Sequence, residues 1–274
     1  MTKIKLALCQ MNVIDDKEEN LKKASSMISN ASKESDFIVL PEMFNCPYSN
    51  DKFIEYGEEE KNSHTLNEIS RLSKDNNIYI LAGSIPEKKD DKLFNTSYLF
   101  DRQGNIIAKH RKMHLFDIDV KDKITFKESD VLTAGNEFTV ADTEFGKIGI
   151  GICYDIRFPE LARVMVENGA LILFYPGAFN MTTGPAHWKL LFRSRALDNQ
   201  VYCVGVAPAL NKGASYHSYG HSIIANPWGD VIAEASEKEE TIFCEIDLDE
   251  IKKIREELPL LKNKREDLYE VIRK

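Results

Sequence analysis

Residues 146–160 read GKIGIGICYDIRFPE. Ile148, Ile150 and Ile152 alternate with glycines, a period-two run of β-branched residues that specifies a buried strand. The run stops at Cys153. Beyond Pro159, ELARVMVENGA sets apolar residues at helical spacing. A cysteine therefore stands at the turn between a strand and a helix. Such a turn lifts a side chain off the sheet edge and lets the next backbone N–H groups face a developing negative charge. Two readings of Cys153 are open from this segment alone: an accessible nucleophile, or the small buried hydrophobe that most unpaired cysteines are. Arg157, with Asp155 and Glu160 as its nearest acids, reads as a structural arginine in a local salt bridge.

The same rhythm extends to either side. Residues 4–10 (IKLALCQ) form an opening core strand. Asp15 or Asp16 can cap a helix running to about Lys33, with Leu21, Ala24, Met27, Ile28 and Ala31 as its apolar stripe. Residues 37–40 and 78–82 are short buried strands around a helix marked by Leu66, Ile69 and Leu72. Residues 96–100 and 106–108 flank the hairpin-like turn DRQGN. After the Cys153 unit come strands at 171–174, 201–206, 222–225, 231–235 and 241–246, with a helix over 187–199. Helices alternating with short apolar strands in both halves predict an α/β fold in which helices cover sheets. No linker breaks residues 1–274, which reads as one domain with a charged, helical tail from about residue 249. Leu258, Leu260 and Leu261 give that tail an apolar patch for a partner subunit. Residues 109–130 carry no clean period and read as a long functional loop.

Bulk properties narrow the function classes. The chain has 274 residues, 43% of them hydrophobic, and a formal net charge of -8. That balance argues against nucleic acid as a partner and offers no basic patch to a membrane. Five widely spaced cysteines do not form a disulfide framework. With no apolar signal segment and no run of about eighteen apolar residues, a cytoplasmic protein is expected.

Three polar residues punctuate the ends of apolar runs: Glu42 closes FIVLPE, Lys112 follows the strand at 106–108, and Cys153 closes IGIGIC. Strand ends converge in space, so the three can meet. A cysteine nucleophile needs a base, for which Glu42 is the candidate. Attack on a carbonyl builds charge on oxygen, which a buried Lys112 ammonium and the Tyr154 backbone N–H can stabilise. The alternatives are a surface or capping Glu42 and an unremarkable Lys112. Tyr48, Phe116, Phe179 and Trp188 either line the cleft or pack its loops. Arg193 and Arg195 can anchor a substrate carboxylate or bridge to an acid or a carbonyl. The pairs His110/His114 and His217/His221 do not lie on helices, which argues against a metal site.

The segments FIVLPEMF, HRKMHLFDIDV, ITFKESD, GKIGIGICYDIRFPELAR, YPGAFNMTTGPAHWKLLFRSRALDNQ and GHSIIANPWGDVIAEA resemble the nitrilase superfamily of carbon–nitrogen hydrolases, and within it the omega-amidase branch. The likeness runs from about Lys5 to Tyr269. It implies a four-layer α-β-β-α sandwich, a homodimer joined through a helical face, and no metal or organic cofactor. It assigns Glu42 as catalytic base and acid, Lys112 as catalytic lysine, Cys153 as nucleophile, and Glu128 as a second glutamate positioning lysine and substrate. The implied reaction is hydrolysis of a small amide through a thioester. The implied substrates are 2-oxoglutaramate and 2-oxosuccinamate; deaminated glutathione, N-carbamoyl compounds and nitriles are the alternatives.

Overall fold

A computed structural model describes residues 3–122, 124–269 and 271. Two sheets stack face to face. In the first, the path runs Glu240–Asp247, Lys3–Gln10, Phe37–Val39, Tyr79–Leu81, Lys92–Phe100, Ile85–Lys89, Glu58–Glu59, with Ile106–Arg111 also paired to Lys92–Phe100. In the second, the order is Thr139–Thr143, Gly146–Ile150, Ile172–Pro176, Tyr202–Val206, Ile223–Ala225, Val231–Glu234. The helices are α1 (Lys17–Ala31), α2 (Asn50–Tyr56), α3 (His64–Asn76), α4 (Pro159–Glu167), α5 (Gly184–Asn199) and α6 (Asp249–Glu257).

Strand alternation builds the layers. Leu6 and Leu8 face inward and pack with Ile148, Ile150, Ile172, Phe174 and Val204 of the opposite sheet. Their neighbours Ala7 and Cys9 face outward, onto Leu21, Ala24 and Ile28 of α1 and Leu66 and Ile69 of α3. On the far side, Leu173 and Cys203 meet Leu161 and Met165 of α4 and Trp188 and Phe192 of α5. A strand with both faces covered must be apolar throughout, which is why the short runs carry so few charges. The result is the expected α-β-β-α sandwich. Asp16, not Asp15, caps α1, its Oδ1 accepting from the Glu19 N–H at 3.0 Å.

Two expectations are corrected. Residues 109–130 are not one long loop. The strand at 106–108 extends to Arg111, and Asp117–Val120 pairs with Ile124–Lys127 as a hairpin, Ile118 opposite Phe126. Four-residue strands are too short to show a period. Among its described residues the tail is helical only over α6, because Pro259 disfavours helix at Leu258 and ends it. Beyond it, Leu261 packs into the cluster under α4 and α5, while Leu258 and Leu260 stay exposed. Residues 270 and 272–274 of that tail lie outside the described residues.

Candidate active site

Four segments deliver the site at the carboxyl ends of strands, where ligands of such sheets bind. Glu42 follows Phe37–Val39, Lys112 directly follows Ile106–Arg111, Cys153 follows Gly146–Ile150, and Ala178 follows Ile172–Pro176. Cys153 opens a one-turn helix with φ 47°, and Met43, next to Glu42, has φ 52°. Both are left-handed conformations that non-glycine residues adopt at a cost and that cluster at functional sites.

Glu42, Lys112 and Glu128 are all fully or almost fully buried. The Lys112 ammonium donates to Glu128 Oε1 at 2.8 Å and to Glu42 Oε1 at 3.0 Å. Glu42 also accepts from Asn95 Nδ2 at 2.8 Å and, on Oε2, from the Ala178 N–H at 2.7 Å. Oε1 accepts from the Tyr48 hydroxyl as well, at 3.4 Å, and the carboxylate also interacts with the Cys153 thiol. Glu128 takes the Tyr48 hydroxyl at 2.6 Å and the Phe116 N–H at 2.7 Å, so the hairpin seats it under the lysine.

The electrostatics follow from dry burial. Loss of water raises the Glu42 carboxyl above its ordinary range, and the Glu128 charge adds to this while Lys112 opposes it. Burial and the Glu42 charge push the Cys153 thiol well up, so it rests protonated. Burial works against the Lys112 charge, but the two carboxylates outweigh it and raise its pKa. One cation between two carboxylates leaves one net negative charge. Were Glu42 to take the thiol proton as sulfur attacked a carbonyl, that charge would move to the substrate oxygen with the total unchanged, and Lys112 could serve it in both places. The Tyr154 N–H, in the first turn beyond the nucleophile, has no protein acceptor among the described residues and can serve as a second donor.

The aromatic candidates gather around this cluster. The Tyr48 ring lies tilted against Tyr216 at 4.6 Å, and Phe116 meets the Tyr154 ring edge-on at 5.3 Å. Phe179 packs on Trp188. Tyr216, absent from the sequence reading, donates its hydroxyl to the Ala178 carbonyl; an isolated tyrosine in a polar run carries no signal.

The arginines change places. Arg193 donates to the Gly229 carbonyl at 2.7 Å, and Arg195 to the carbonyls of Ile156 at 2.8 Å and Arg157 at 3.3 Å. Both are occupied with backbone carbonyls, Arg195 also pairs with Asp198 at 3.6 Å, and Arg195 braces the turn behind the nucleophile. Arg157 is not in the expected salt bridge. Asp155 is taken by His110 and His114, and among the described residues no carboxylate lies within ion-pair distance of Arg157. Its guanidinium lies 4.8 Å from the Phe179 ring and 5.6 Å from the Tyr154 ring. Nη1 donates to His187 Nδ1 at 3.2 Å, and Nε is buried with no partner.

Comparison with known families matches residues 5–256 to the carbon–nitrogen hydrolases. The chain belongs to the carbon–nitrogen hydrolase family. It is 48% identical over 272 residues to the omega-amidase NIT2 of Bos taurus, covering 99% of this chain and 98% of that one. It is also 48% identical to the chloroplastic omega-amidase of Arabidopsis thaliana, covering 99% of this chain and 75% of that one. The crystal structure of Saccharomyces cerevisiae Nit3, a member of branch 10 of the nitrilase superfamily, superposes with a TM-score of 0.89 at 45% identity, covering 96% and 97% of the two chains. This carbon–nitrogen hydrolase thus shares the sandwich of the nitrilase superfamily. Among its described residues no helix is long and apolar enough to cross a membrane.

Proposed function

We propose that the protein is an omega-amidase, hydrolysing the terminal amide of short dicarboxylic monoamides such as 2-oxoglutaramate and 2-oxosuccinamate. The observation that carries the substrate class is Arg157. Burial lowers its pKa, and its buried Nε has no partner, so it is a guanidinium short of an anion beside the nucleophile. A substrate carboxylate supplies that anion and sets the amide at the thiol.

The cycle follows from the cluster. Cys153 Sγ attacks the amide carbon as its proton passes to Glu42. The oxyanion is held by Lys112 Nζ and the Tyr154 N–H. Glu42 returns the proton to nitrogen, the C–N bond breaks and ammonia leaves a thioester. Water then gives a proton to Glu42 and adds to the thioester. The second oxyanion collapses, the C–S bond breaks, and Glu42 reprotonates the thiolate. Glu128 holds Lys112 throughout.

One feature favours a second reading. A cavity of about 710 Å³ runs from Glu42, Tyr48 and Ala178 to Asp15 and Lys52, more room than a five-carbon acid needs. It suits a longer amide such as deaminated glutathione. Ammonia release across a panel at matched concentration separates the two. Both oxo-acid amides are expected to turn over, succinamate more slowly, and butyramide at least about 100-fold less efficiently, because it leaves Arg157 unpaired. Faster turnover of deaminated glutathione selects the second reading, and turnover of nitriles alone removes the protein from the amidases.

The family likeness and the apolar patch of Leu190, Leu197 and Trp228, each more than 40% exposed, support a homodimer joined through α5. Five free cysteines support a reducing, cytoplasmic location.

A further inference from the structure

Asp155 is fully buried and lies outside the catalytic cluster. Its two carboxylate oxygens accept four hydrogen bonds. Oδ2 takes the Ile152 N–H at 2.9 Å and His110 Nε2 at 3.0 Å. Oδ1 takes the His114 N–H at 2.9 Å and His114 Nδ1 at 2.7 Å. Burial alone would raise its pKa, but the bonds from His110 and His114 hold it well below the usual carboxylate range.

The sequence positions give the arrangement its meaning. Ile152 and Asp155 bracket Cys153 on the nucleophile turn of one sheet. His110 and His114 bracket Lys112, two residues to either side, on the chain leaving the other sheet. His110 is held from behind by Thr139 Oγ1 at 3.0 Å, and the His114 ring stacks on Phe158 at 3.6 Å. The catalytic sulfur and the catalytic ammonium belong to different sheets, and one carboxylate grips the backbone around both.

We propose that Asp155 is a positioning residue that fixes the spacing between Cys153 and Lys112, and hence the place where the oxyanion forms. A charge-assisted carboxylate serves because each oxygen meets two donors. An asparagine in its place presents its own N–H groups to one of those pairs and must break it.

The test is a mutant cycle read by acylation of Cys153 with p-nitrophenyl acetate, followed as the p-nitrophenolate burst. This reagent builds the same oxyanion whichever amide is the substrate, so although the inference rests on the proposed amidase chemistry, the two can fail separately. Wild type that acylates yet leaves every amide untouched sinks the omega-amidase reading and leaves this one standing. Asp155→Asn is expected to lower the acylation rate on the order of 100-fold, the cost of a misplaced catalytic group. With 2-oxoglutaramate it should lower kcat while KM stays within about threefold. In a Lys112→Met background the same change is expected to cost less than about threefold, because the group being positioned is gone. His114→Ala removes one side-chain donor and leaves the backbone bond. It should show the same pattern at smaller amplitude, and it carries the cycle where Asp155→Asn does not fold. Losses that multiply in the double variant, or wild-type acylation by Asp155→Asn, overturn the proposal.

Discussion

At the residue scale, chemistry is concentrated in groups whose water has been removed. Cys153→Ala should abolish amide hydrolysis with the fold intact, and a circular dichroism spectrum beside an ammonia assay checks both halves. Glu42→Gln should lose activity by orders of magnitude, since each half-reaction moves a proton through that carboxylate. The pH profile follows in sign. Glu42 must be ionised to accept the thiol proton, and its pKa is raised by burial. The acid limb of kcat/KM should therefore sit above the ordinary glutamate value of about 4.3, with rate lost as pH falls through it. A limb at the ordinary value contradicts the assignment. Lys112→Arg should not restore activity, because a planar fork cannot sit where a point charge sits between two carboxylates. Arg157→Gln should cost roughly 100-fold in kcat/KM on 2-oxoglutaramate and leave butyramide unchanged. An equal loss on both amides would make Arg157 a structural residue after all.

At the element scale, the site depends on how strand ends are held. Gly83 has φ +41°, and a Cβ there would lie 1.9 Å from the Pro41 carbonyl oxygen. Pro41 precedes Glu42, so Gly83→Ala must move the segment that carries the base. Destabilisation of roughly 2 kcal/mol or more is expected, with activity falling further than stability explains; denaturant melts and kcat on the folded fraction measure each. Asp16→Ala is the contrast. It removes the cap of α1 and should cost about 1 kcal/mol with kcat unchanged. Loss of activity there would mean that α1 couples to the site.

At the scale of the whole molecule, two different sheets each bring part of the proposed machinery. Glu42 and Lys112 come from the first and Cys153 from the second, so the proposed active site exists only when the sandwich closes. The exposed patch on α5 leads to a prediction about assembly. Sedimentation should give a dimer, and Leu197→Asp should shift it toward monomer by placing a charge in the apolar contact. A wild-type monomer at micromolar concentration removes the dimer proposal.

What the sequence by itself determined was local. Runs such as IGIGIC and LALC state that a strand is buried, because burial is written in the side chains themselves. Family motifs marked Glu42, Lys112, Glu128 and Cys153 by position. The tertiary structure decided what each polar side chain meets. Arg157 has Asp155 two residues away, yet Asp155 is claimed by His110, 45 residues distant. Arg195 was open between a substrate carboxylate and a bridge to an acid or a carbonyl, and the turn behind the nucleophile supplies the carbonyls. The Asp117–Lys127 hairpin, too short to carry a period, places Glu128 under Lys112. Hydrophobicity is a property of one residue, whereas a hydrogen bond or ion pair belongs to two, and the second is set by the fold.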